Sequence, residues 1–130
     1  MVTEGKLVMK KVRLTIQDRQ ALQELVAYLQ KTIPNKIEIL ALFGSKAQGD
    51  SKQESDIDVL VILSREDREL RREILKQAAR FSLEYDVLLS PRVIGAERWE
   101  KMRGFSLYQN VQRNAACLDI LGNELTLETV

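Results

Sequence analysis

Residues 44–58 read GSKAQGDSKQESDID and stand between two apolar runs, IEILALF at 37–43 and VLVIL at 59–63. The runs are short, rich in side chains that suit strands, and punctuated by glycine and serine, which predicts a strand over 37–43, a loop, and a second strand over 56–63. Along an extended chain side chains alternate, so Asp56 and Asp58 leave one face while Ile57 leaves the other toward the core. Two carboxylates then face one small volume. Like charges so close repel unless a cation lies between them, and hard oxygen ligands suit Mg²⁺ or Mn²⁺. At the other end of the loop, Gly44 and Ser45 close the first strand where the chain must turn. A short helical turn starting near Lys46 directs free backbone N–H groups outward, a geometry that favours phosphate.

Outward from the loop, the apolar period changes several times. Over 15–33, Leu22, Leu25, Val26, Leu29 and Ile33 keep helical spacing, Thr15 and Asp18 suit a capping box, and Pro34 discourages continuation. After the second strand, Ser64 and Asp67 suit a cap for a helix whose core stripe is Leu70, Ile74, Leu75, Ala78 and Phe81, with the run REDRELRRE as its solvated face. Residues 85–89 return to strand character, Pro91 and Gly95 mark turns, and 96–116 read as helix interrupted at Gly104. The order is helix, strand, loop, strand, helix, strand, helix. It predicts an α/β fold, a small mixed sheet with covering helices, in a single domain over residues 1–130 with its catalytic core at about 37–118.

Composition narrows the chemistry. The chain has 130 residues, 45% of them apolar, enough for one compact core. Lys and Arg number 20 against 19 Asp and Glu, so a net charge of +1 supplies no field for holding nucleic acid in bulk. With no histidine and a single cysteine, Cys117, the common zinc and Ser-His-Asp constellations are excluded, as is an internal disulfide. A reduced, cytoplasmic setting is expected, with no membrane span and no signal peptide.

Gly44-Ser45, Gly49 and Ser55-Asp56-Ile57-Asp58 together resemble the G-S-x-x-x-G-x-x-x-x-x-S-D-x-D signature of nucleotidyltransferases of the DNA polymerase beta superfamily. The segment YDVLL at 85–89 is similar to the family strand that supplies a third acid, which would be Asp86, and FSLYQNVQRNAACL at 105–118 is similar to the closing helix of the minimal nucleotidyltransferase domain. Two departures stand out: Lys46 occupies a position where arginine is common, and Asn114-Ala115 one where Glu-Gly is common. The resemblance implies a polymerase beta-like fold. It also implies transfer of a nucleoside monophosphate, AMP from ATP, to a hydroxyl, with two Mg²⁺ ions held by Asp56, Asp58 and Asp86. Gly44, Ser45, Lys46 and Ser55 would bind the triphosphate. Asp86 would also act as base, with Glu84 its competitor by strand alternation.

The chain also resembles the antitoxin of minimal nucleotidyltransferase and HEPN toxin–antitoxin pairs. It implies a hetero-oligomer with a HEPN toxin whose tyrosine accepts the AMP. Two other readings stay open: a binding module that neutralises its partner by contact, and an enzyme acting on a small molecule. Elsewhere, Trp99, Met102 and Tyr108 read as packing residues and Cys117 as a small buried apolar residue. Arg92, Arg98, Lys101, Arg103 and Arg113 make a locally basic region that is either solvated surface or a docking patch for an acidic partner.

Overall fold

The computed structural model describes residues 12–49, 56–121 and 124–129. Helix α1 (Ile16–Thr32) begins where the capping box predicts: the Asp18 N–H donates to Thr15 Oγ1 at 3.0 Å, and the Thr15 N–H donates to Asp18 Oδ2 at 3.0 Å. It leads through Pro34 into strand β1 (Ile37–Phe43), the short helix α2 (Gly44–Gln48) and strand β2 (Ile57–Leu63). Helix α3 (Arg68–Tyr85) is capped by Asp67, whose carboxylate accepts the Leu70 N–H at 3.0 Å. Strand β3 (Leu89–Gly95), helices α4 (Ala96–Glu100) and α5 (Ser106–Asn114), and strands β4 (Ala116–Leu121) and β5 (Glu124–Thr129) complete the described chain.

Among the described residues the strands form one mixed sheet in the order β3-β2-β1-β4-β5. Strand β2 runs antiparallel to β1 and parallel to β3, while β4 is antiparallel to both β1 and β5. Alternation along β2 divides the core in two. Ile57, Val59, Val61 and Leu63 face α1 and α3, where they meet Leu22, Leu25, Ile74 and Phe81; Leu60 and Ile62 face α4 and α5, where they meet Trp99 and Val111. Both faces are covered, which explains why β2 reads as a continuous apolar run beyond Asp58.

Several expectations are corrected. Residues 85–89 are not a strand: α3 continues to Tyr85, Asp86 closes it in the left-handed conformation (φ 56°, ψ 48°), and β3 starts at Leu89. Pro91, read as a turn signal, lies inside β3, which tolerates it because this is an edge strand and the missing N–H would have faced outward. Leu75 is 43% exposed rather than core, the buried stripe of α3 being Ile74, Ala78 and Phe81. The helix expected to reach 116 ends at Asn114, and the chain goes on into the hairpin β4–β5, which the expected element order lacks.

Side chains occupy part of the free edge of β3. The Leu89 N–H donates to Ser82 Oγ at 2.9 Å, Pro91 has no N–H, the Val93 carbonyl accepts from Arg71 Nε at 3.2 Å, and the Gly95 N–H donates to Glu66 Oε1 at 2.5 Å. These contacts interrupt the row of backbone groups that an edge strand otherwise offers to another strand.

Candidate active site

The ends of β1 and β2 meet at the site. In the antiparallel register Phe43 lies opposite Asp58, so Gly44, the next residue, sits beside the Asp58 carboxylate. Gly44 has φ +76°, and a Cβ there would overlap Asp58 Oδ2. Only glycine meets both conditions, because a side chain would be strained by the backbone and blocked by the carboxylate. Ile57 is fully buried, while Asp58 on the opposite face is half-buried and Asp56 exposed, as alternation requires.

Burial raises the Asp58 carboxyl above the usual carboxylate range, the neighbouring Asp56 charge raises it further, and the Arg92 guanidinium opposes both. A carboxylate disfavoured in this way, with a second one on its own strand face and a glycine leaving space against it, suits a hard divalent cation. The residues present therefore fit Mg²⁺ or Mn²⁺ through Asp56 and Asp58. On α5, which packs against α2, the buried Asn110 Oδ1 has no hydrogen-bond partner among the described residues, an acceptor that a bound donor would satisfy.

The other expected residues take different places. Ser45 is half-buried in the first turn of α2, and its carbonyl accepts the Gly49 N–H at 3.0 Å. Ser55 lies outside the described residues. Lys46 is buried, 1% exposed, and its Nζ lies 2.7 Å from Asp18 Oδ2. Asp86 is exposed at the end of α3, and among the described residues no three Asp, Glu, Cys or His side chains converge as a metal-holding group. Glu84 is exposed in the last turn of α3, so strand alternation does not place it beside Asp86.

Sequence reasoning missed Arg92 as a neighbour of the acid pair. In the parallel register Ser90 lies opposite Asp58, so Arg92 follows on the same sheet face. Taking 85–89 as the strand displaces β3 and hides this relationship. Trp99 and Tyr108 pack as expected, ring centroids 4.6 Å apart, and Cys117 is half-buried rather than buried.

Comparison with known proteins places this geometry in a class. The family model described as polymerase beta, nucleotidyltransferase, matches residues 23–92. The chain belongs to that family, as a minimal nucleotidyltransferase domain, and is a nucleotidyltransferase. A protein of Methanocaldococcus jannaschii provisionally named protein adenylyltransferase MJ0141 is 36% identical over 73 residues, which cover 55% of this chain and 74% of that protein. A second from the same organism, provisionally named protein adenylyltransferase MJ0604, is 29% identical over 96 residues, covering 74% and 92%. A crystal structure of the toxin–antitoxin pair MntA–HpeT, in a mutant form with one tyrosine replaced by alanine, aligns at a TM-score of 0.49 and 25% identity, covering 78% of this chain and 73% of that one. Among the described residues no helix is long and apolar enough to cross a membrane.

Proposed function

We propose that the chain is a protein adenylyltransferase that moves AMP from ATP to a tyrosine hydroxyl of a HEPN toxin and thereby acts as its antitoxin. The observation that carries the transfer reading is the carboxylate pair Asp56 and Asp58 on one face of β2, with Asp58 against the Gly44 turn. The names of the two Methanocaldococcus relatives support a protein acceptor and an adenylyl group. The toxin partner follows from the resemblance of the motif residues to the antitoxins of such pairs.

In this reading Gly44 and Ser45 hold the β- and γ-phosphates and Asp56 and Asp58 hold two Mg²⁺ ions. When bound, the metal neutralises charge on the triphosphate and on the departing pyrophosphate. The tyrosine oxygen attacks the α-phosphorus, a new O–P bond forms, the bond to the β-phosphate bridging oxygen breaks, and pyrophosphate leaves with that electron pair. The hydroxyl proton passes to a carboxylate, assigned to Asp86, and from there to solvent. The added phosphate charge on the toxin would disfavour its binding of RNA.

One observation favours a second reading, neutralisation of the partner by contact alone: Asp86 is not gathered with Asp56 and Asp58. Intact-mass measurement of a HEPN partner co-expressed with the chain separates the two. AMP-sized additions that vanish with Asp58→Asn support transfer. An unmodified toxin that is inhibited equally by the wild type and the variant supports contact.

A further inference from the structure

A groove of about 530 Å³ runs along the outer side of β3, between α3 and the segment that joins α4 to α5. Its cations are Arg71, Arg92, Arg98 and Lys101; Glu66 pairs with Arg71 at 2.7 Å and with Arg98 at 3.5 Å, and Glu97 with Lys101 at 3.8 Å, which leaves an excess of positive charge over these two acids, and its apolar floor includes Leu75 and Phe105, which are 43% and 62% exposed. Neither Asp56 nor Asp58 lines it. The two are nevertheless connected, because Arg92 stands on the sheet face of Asp58, one alternate position beyond Ser90, and its charge acts on that carboxylate.

Asp58 thus has Gly44 on its β1 side and the groove on its β3 side. If the triphosphate rests on the Gly44 turn, an acceptor in line with the leaving pyrophosphate must enter from the opposite side. Side chains already take the Leu89 and Gly95 N–H groups and the Val93 carbonyl on the outer edge of β3, and Pro91 has no N–H, which leaves the side chains of the groove as the main hold on an entering segment. A basic lining with exposed Leu and Phe suits an acidic segment that carries apolar or aromatic side chains. The four residues of β3 that line the groove, Pro91 to Ile94, span about 13 Å at about 3.3 Å per residue, room for roughly four extended residues.

We propose that this groove binds an acidic, aromatic-bearing segment of the acceptor protein and leads its hydroxyl to Asp58 from the β3 side. The assignment rests on the transfer reading of the site for what happens next, but not for the binding itself. The probe is a fluorescein-labelled random copolymer of glutamate and tyrosine, with a lysine–tyrosine copolymer as control, followed by fluorescence anisotropy. Wild-type chain should bind the acidic copolymer and not the basic one. Arg98→Glu combined with Lys101→Glu should weaken binding at least tenfold, and the milder Arg98→Gln with Lys101→Gln should fall between. Both side chains are more than half exposed, so their replacement leaves the core intact. No binding by the wild type, equal binding of both copolymers, or equal binding by the charge-reversed variant would overturn the assignment. Binding that follows the expected pattern, with no AMP reaching the bound tyrosines in Mg²⁺-ATP, would uphold the groove and count against the transfer reading instead.

Discussion

Lys46 Nζ lies 2.7 Å from Asp18 Oδ2, with the side chains 1% and 4% exposed, so the turn that carries Gly44 and Ser45 is tied through the interior to the first turn of α1. The same Asp18 oxygen accepts the Thr15 N–H, and the Arg13 N–H donates to the Lys46 carbonyl at 2.9 Å, a second tie between the two segments. Truncating one partner of a buried pair leaves the other charge uncompensated, at a cost of about 3–5 kcal/mol. Lys46→Met should lower stability by roughly that amount, and Asp18→Asn with Lys46→Met, which removes the second charge yet keeps an acceptor for the Thr15 N–H, should recover much of it. Urea unfolding of the single and double variants checks both.

Gly44→Ala tests the closeness of the turn to the acid pair. The substitution places a Cβ against Asp58 Oδ2 at a backbone angle of φ +76°. It should destabilise the chain by roughly 1–3 kcal/mol and abolish nucleotide transfer, because relief comes only by moving the turn or the carboxylate. Thermal unfolding together with a transfer assay distinguishes this from a variant that loses stability alone.

The Asp58 carboxyl, raised by burial and by Asp56, holds its proton more tightly in the folded chain than in the unfolded one. Its contribution to stability therefore falls as pH climbs from the ordinary carboxylate value through the raised folded value, and stays low above it. Asp58→Asn removes that titration. Without divalent cations the variant should melt higher than wild type at neutral pH, and the difference should close below the ordinary carboxylate pKa. Adding Mg²⁺ with ATP should raise the melting temperature of wild type and leave the variant where it was.

The features legible in the sequence were those set by local rules. The capping box of α1, the Asp67 cap of α3 and the alternation that turns Asp56 and Asp58 away from Ile57 each depend on residues within a few positions of one another. What was hidden depended on distant partners. Residues 85–89 look like a strand, yet Tyr85 packs on the α1–α3 core as the last turn of a helix, and the true strand contains a proline that only an edge position allows. Lys46 looks like a phosphate cation until Asp18, 28 residues earlier, is brought against it. The β4–β5 hairpin carried its own signal: Leu118 and Ile120 alternate before Gly122-Asn123, as Leu125 and Leu127 do after it.

Asp86 carries two demands that substitution can separate. As the left-handed cap of α3, its N–H donates to the Ser82 carbonyl, a role glycine fills equally well. Asp86→Gly should stay within about 1 kcal/mol of wild-type stability and still bind Mg²⁺-ATP. If Asp86 takes the acceptor proton, transfer should fall by about 10²–10⁴-fold. Full activity in this variant, with loss in Glu84→Gln, would move the base to Glu84.

The most direct test of the central claim, that Asp56 and Asp58 serve nucleotidyl transfer at the Gly44 turn, is to follow two positions of label in ATP. The chain is incubated with Mg²⁺ and its co-purified partner, once with ATP labelled at the α-phosphate and once with ATP labelled at the γ-phosphate, and retained label is measured on the partner. The account predicts stable retention of α-label, release of γ-label as pyrophosphate, and loss of the retained α-label in Asp58→Asn. Retention of γ-label on the partner, or undiminished α-label with Asp58→Asn, would contradict it.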